Sequence, residues 1–210
     1  MIFEPYHLYH VYNQGNNRQQ LFFQRENYLL FLEKANKHLK PVCEILAWCL
    51  MPNHFHLLIG TSPLSVEKIR AGGNDMTRLS HGFKVLESSY CRAINYQKKR
   101  TGSLFRQRTK SKCLTTEAFP FNETDNIYPA DFADFHPLTC FNYIHDNPVN
   151  SGLVQNPDEW EFSSFRDFVG LRAGQLCNQQ LCRRWVAFNV CDIEGPFPRK
   201  LNPERVNAIY

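Results

Sequence analysis

Along the chain, polar and apolar positions fall into short blocks with distinct periods. His7 to Asn13 (HLYHVYN) is rich in aromatic and β-branched residues and predicts a strand. The polar QGNNRQ that follows marks a turn or loop. From Arg25 to Lys40, Tyr28, Leu29, Leu32, Ala35 and Leu39 recur at helical spacings, and Pro41 closes the element. Val42 to Leu50 and His54 to Gly60 read as two strands around a Met51-Pro52-Asn53 turn, an antiparallel hairpin. A short helix is expected from Ser62-Pro63 to about Arg70, broken by Gly72 and Gly73. Asn74 or Asp75 then caps a longer helix, whose stripe of Met76, Leu79, Phe83, Leu86, Tyr90 and Ile94 advances by 3, 4, 3, 4 and 4.

Gly102 ends that helix, and Leu104 to Leu114 holds a further strand. Thr115 to Pro137 carries three prolines and acidic residues and reads as an irregular insertion. Leu138 to Asp146 is a helix stopped by Pro148 and Gly152. Trp160, Phe162, Phe165 and Phe168 are placed to pack back onto the domain. The order β, α, β-β, α, β, α predicts an α+β fold: a ferredoxin-like (split βαβ) antiparallel sheet with helices mainly on one face. Residues 1–170 form this domain, and 171–210 form a C-terminal extension.

Composition bounds the class. With 210 residues, 43% hydrophobic and 21% charged, the chain can build one ordinary core. The longest apolar runs, ILAWCLM and LLIG, are too short to span a bilayer. The start lacks a basic segment followed by an apolar one, so no signal peptide is expected and a cytoplasmic location is. The eight cysteines are then expected to stay reduced, and the absence of any CxxC argues against a structural zinc framework.

The net charge of +4 hides an asymmetry. Arg92, Lys98, Lys99, Arg100, Arg106, Arg108, Lys110 and Lys112 follow one another with no Asp or Glu between them. The rest of the chain has 16 basic against 20 acidic residues. Tyr90, Tyr96 and Phe105 interleave with or adjoin the basic run. Such a segment can contact phosphates and stack on unpaired bases. It can equally be a solvated helix face whose aromatics turn to the core.

Two segments carry candidate chemistry. On a strand, His54 and His56 point to one face and Phe55 to the other, so two imidazoles can meet one metal ion. Their apolar surroundings make two unpartnered buried imidazoles costly, although a pair of half-buried polar histidines is the simpler reading. On the helix near 143, Tyr143 and Asn147 share a face. Asn147 can offer its amide oxygen to a metal, with Asp146 as an alternative ligand and His145 as a third histidine. Tyr143 also suits a core position, and Asn147 a helix end before Pro148. A tyrosine hydroxyl, pKa about 10, needs help to act as a nucleophile. A divalent ion that polarises a phosphodiester supplies it. Attack on DNA would give a covalent phosphotyrosine that another strand end can resolve without a nucleotide cofactor.

His54-Phe55-His56, within MPNHFHLLI, resembles the HUH motif (histidine, hydrophobic residue, histidine). Tyr143-Ile144-His145-Asp146-Asn147-Pro148-Val149, continuing to Gly152-Leu153-Val154, resembles the catalytic segment of single-tyrosine HUH transposases, and of the REP-associated tyrosine transposase group in particular. Tyr9 to Asn13 with Gly15 to Arg18, Gly102 to Arg108, and Trp160 to Phe165 fit the same pattern, so the resemblance covers about residues 6 to 170. It implies Mg²⁺ or Mn²⁺ held by His54, His56 and Asn147, although two imidazoles suit zinc or nickel as well. It implies Tyr143 as nucleophile, a 5′-phosphotyrosine link and a freed 3′-hydroxyl. The substrate implied is single-stranded DNA with hairpins, as in palindromic repeats of bacterial genomes. The basic run from Arg92 to Lys112 would contact its backbone, and the protein would act as a monomer or homodimer. Gln14 stands where many relatives carry arginine, and the Thr115–Pro137 stretch is longer than the pattern.

Three functions are therefore carried forward. The first is a metal-dependent single-stranded DNA nicking and strand-transfer transposase. The second is a domesticated, non-catalytic binder of hairpin DNA or RNA. The third is a zinc hydrolase using His54, His56 and His145 or Asp146.

Overall fold

A computed structural model of the chain describes residues 1–115 and 136–186. Most of the insertion expected at Thr115–Pro137, and the chain beyond Val186, lie outside the described residues.

Four strands make the main sheet: β1 (Leu8–Gln14), β2 (Glu44–Met51), β3 (His54–Gly60) and β6 (Lys110–Cys113), in the order β2-β3-β1-β6 with every described pairing antiparallel. This is the α+β, ferredoxin-like arrangement expected from the element order. Helices α1 (Arg25–His38) and α3 (Arg78–Gln97) pack side by side on one face. Alternation sorts the strands cleanly. Tyr9, Val11, Trp48, Leu50, Phe55, Leu57 and Ile59 point to that face and join Phe31, Phe83, Leu86 and Tyr90 in the larger core.

Leu8, Cys49, Met51 and Leu58 point to the other face, where α4 (His136–Asn150), α5 (Phe165–Phe168) and α6 (Gln179–Val186) form a second core. The Trp185 ring covers Gly60 so closely that a Cβ there would lie 2.6 Å from it. The described part of the expected extension is thus a helix seated on the sheet.

Three expectations need correction. The helix expected to reach Arg70 is only α2 (Pro63–Val66). Gly72 and Gly73, with φ of 60° and 80°, form the tight turn of a small hairpin, β4 (Lys68–Ala71) and β5 (Asn74–Thr77). Two left-handed residues in a row suit a hairpin turn as well as a helix break. The long helix is therefore capped by Thr77, whose Oγ1 accepts the Ser80 N–H at 3.2 Å, and Met76 lies in β5. Second, the strand expected over Leu104–Leu114 is confined to Lys110–Cys113. Third, α4 runs through Pro148 to Asn150 instead of stopping before it. Proline φ is helical, and only two helical residues follow it. Asn147 therefore keeps a helical position one turn after Tyr143.

Among the described residues all seven cysteines are free thiols, and no helix is long and apolar enough to cross a membrane.

Candidate nucleic-acid processing site

The two histidines emerge from β3 on the α4 side of the sheet, while Phe55 between them is fully buried in the α1/α3 core. Their ring centroids are 4.9 Å apart. His54 is half-buried, and its Nδ1 lies 2.6 Å from Asn53 Oδ1. His56 is buried, and its Nδ1 lies 2.9 Å from Nε2 of His10 on β1. Both Nδ1 atoms are thus engaged by protein partners, an arrangement that leaves Nε2 as the nitrogen able to meet a metal ion. Burial lowers the pKa of both rings. For His56 the neighbouring His10 and His54 add to the shift, which takes it well below the ordinary value. Neutral imidazole is the form a metal needs.

Helix α4 brings Tyr143 and Asn147 to the same place. The Tyr143 ring meets His56 edge-on at 5.5 Å and His10 edge-on at 6.1 Å. The Asn147 side chain hydrogen bonds to His54, which opposes the lowering of its pKa. Among the described residues, Asn147 Nδ2 is buried without a hydrogen-bond partner. Two neutral imidazoles and a carboxamide within reach of them fit a divalent cation, although the described residues hold no cluster of three or more His, Cys, Asp or Glu. His145 is directed elsewhere: its Nε2 lies 2.8 Å from Ser164 Oγ, and its ring packs on Phe141, Phe165 and Phe168. It is not beside the pair, which removes one of the two ligand sets weighed for a zinc hydrolase.

A cleft of about 290 Å³ opens at the histidines, lined by Tyr12, Asn13, Gln14, His54, His56, Arg106, Arg108 and Lys110. Three of the eight basic residues therefore reach it. Lys112 faces His10 across the β1–β6 pairing, and Arg92 lines an adjoining groove along α3. Lys98, Lys99 and Arg100 sit at the far end of α3 instead. Lys98 Nζ lies 4.5 Å over the Phe23 ring, and Arg100 donates to the Ser103 carbonyl at 3.4 Å. Cations at a helix C-terminus offset its dipole. The aromatics divide as well. Tyr90, whose hydroxyl donates to the Leu21 carbonyl at 2.8 Å, and Phe105 are core residues. Tyr96 is 89% exposed and is the one of the three available for stacking.

Sequence reasoning missed His10, Tyr12 and Asn13 as neighbours of the pair. The β1–β3 register sets Tyr12 opposite His56 and Gln14 opposite His54. The signal was the alternation within HLYHVYN, which puts His10 and Tyr12 on one face once β1 is placed beside β3.

By sequence, the chain matches no family model and no curated protein. By structure, it is similar to a REP-associated tyrosine transposase solved bound to a REP hairpin, with TM-score 0.53 and 21% identity over 85% of this chain and 92% of that one. At that identity the likeness shows the fold alone.

Proposed function

We propose that the protein is an HUH-type tyrosine transposase that nicks hairpin-bearing single-stranded DNA and transfers the strand end. The observation that carries the reading is the packing of Tyr143 edge-on against His56 at 5.5 Å, one helical turn before Asn147. It draws the tyrosine, the paired histidines and the carboxamide together from separate parts of the chain. The Arg106, Arg108 and Lys110 wall of the cleft, and the fold shared with a transposase solved on a hairpin, support the same reading.

In this mechanism Arg106, Arg108 and Lys110 draw in and orient the phosphate backbone. Tyr143 Oη attacks phosphorus, the P–O3′ bond breaks, and the phenolic proton ends on the departing 3′-oxygen. The product is a 5′-phosphotyrosine and a free 3′-hydroxyl. Attack by another 3′-hydroxyl reverses the chemistry and joins new ends. His54, His56 and Asn147 would hold Mg²⁺ or Mn²⁺, which polarises the phosphodiester and offsets its developing charge. His10 and Asn53 orient the two imidazoles.

One observation favours the non-catalytic binder. Tyr143 is buried, only 6% exposed, and does not line the cleft formed by the described residues. Incubating the protein with labelled hairpin-bearing DNA and Mn²⁺ separates the two. A transposase cleaves the DNA, and His54→Ala does not. A binder retains intact DNA with every metal.

A further inference from the structure

The segment between α3 and β6 crosses the edge of the sheet. Arg106 and Arg108 line the histidine cleft on one side and, on the other, a groove of about 830 Å³ along α3. One carboxylate stands behind this crossing. Glu87 of α3 accepts hydrogen bonds from the Thr109 hydroxyl and from Asn13 Nδ2, at 3.3 Å to Oε1. Asn13 Nδ2 also reaches Thr109 Oγ1 at 3.0 Å and the Arg106 carbonyl at 3.2 Å. Asn13 is 3% exposed and belongs to β1, so the network fastens the basic segment to both the sheet and the helix.

Resting on the nucleic-acid reading above, we infer that Glu87 is the positioning residue of this phosphate-binding segment. Its carboxyl ties Thr109 to Asn13, holds Arg106 and Arg108 between cleft and groove, and when ionised sets a negative charge behind the phosphate-binding surface. The nucleic-acid affinity of the protein is thereby set from behind the binding surface.

Lys84 and Arg92 on α3, and Arg106 and Arg108 on the crossing segment, line the groove with Glu87, as do Met1 and Cys91. Glu87 is the one acidic side chain among the described lining residues. Burial pushes its carboxyl up to about 7, with the Thr109 and Asn13 hydrogen bonds opposing the rise. A carboxyl that takes up a proton more readily in the packed segment than in water favours the packed segment as pH falls. Phosphate binding, which adds negative charge nearby, pulls the same way. Packing and affinity are therefore both expected to weaken as pH rises through neutrality. Burial lowers the pKa of His54 and His56, which moves their titration away from that range.

The test uses the full chain in chelator, with fluorescein-labelled oligothymidylate as the probe, at about pH 6.5 and about pH 8.5. Wild-type affinity is expected to fall by about tenfold between the two, and that of Glu87→Gln to stay at the high value. Thr109→Val, which removes a bond to the ionised carboxyl, shifts the fall to higher pH. Hydrogen exchange of residues 104–113 without DNA reads the positioning separately. Glu87→Gln is expected to be about tenfold better protected than wild type at the higher pH. Equal protection in the two proteins, or the same pH-dependent affinity in both, overturns the inference. Failure of the wild type to bind the probe at either pH, with the exchange difference present, overturns the nucleic-acid reading and leaves the positioning role established.

Discussion

The Tyr143 ring stands edge-on to His56, with centroids 5.5 Å apart and planes at 85°. The two residues come from a helix and a strand far apart in sequence, and the contact gives the paired histidines and the tyrosine a common location.

The outer support of the pair is testable through His10. Its Nε2 lies 2.9 Å from His56 Nδ1 and helps fix the ring that would hold metal. His10→Phe should weaken Mn²⁺ binding by about 10- to 100-fold, read by the loss of the free-ion paramagnetic resonance signal on titration. Unchanged affinity would remove His10 from the site.

Arg106 and Arg108 are expected to act through phosphate. Replacing both by alanine should weaken single-stranded DNA binding and reduce the slope of log K against log salt by about 0.7 for each phosphate no longer neutralised. Replacing Lys98 and Lys99, at the far end of α3, should leave the slope nearly unchanged.

The buried histidines make stability depend on pH. His54 and His56 have lowered pKa values in the fold, so the unfolded chain binds more protons as pH drops below about 6.5. Stability contributed by the neutral rings is present above that value and is lost as pH falls from it. Glu87 acts in the opposite sense, gaining stability from about 7 downward. A melting series against pH for wild type and for the His54→Gln, His56→Gln double variant isolates the histidines, because Glu87 is common to both. The wild type should show the steeper decline in acid.

Helix packing on the other face depends on Gly82. A Cβ at this position would lie 2.5 Å from the His38 carbonyl oxygen of α1, a backbone atom that cannot step aside. Gly82→Ala should cost about 1–3 kcal/mol in denaturant unfolding while leaving the histidine cleft intact.

Much of this was legible in local pattern. The Leu79, Phe83, Leu86, Tyr90 and Ile94 stripe is the buried face of α3, and the His54–Phe55–His56 alternation splits across the sheet as a strand requires. Signals with two physical meanings were less clear. Gly72 and Gly73 permit a hairpin turn as readily as they break a helix, and Pro148 sits so near the end of α4 that the helix runs through it. The support around the site was least legible. His10 beside His56, and Glu87 beneath Thr109 and Asn13, depend on sheet order and on a loop crossing its edge, and neither leaves a periodic trace.

The central claim is that Tyr143 is the nucleophile of a metal-dependent DNA transfer. The direct measurement is a denaturing gel of protein incubated with labelled, hairpin-bearing single-stranded DNA and Mg²⁺ or Mn²⁺, followed by peptide mapping of any covalent adduct. The account predicts a metal-dependent adduct on Tyr143, lost in Tyr143→Phe while hairpin binding is retained. An adduct that persists in Tyr143→Phe, or a tightly bound hairpin that never becomes covalently attached with either metal, would contradict it.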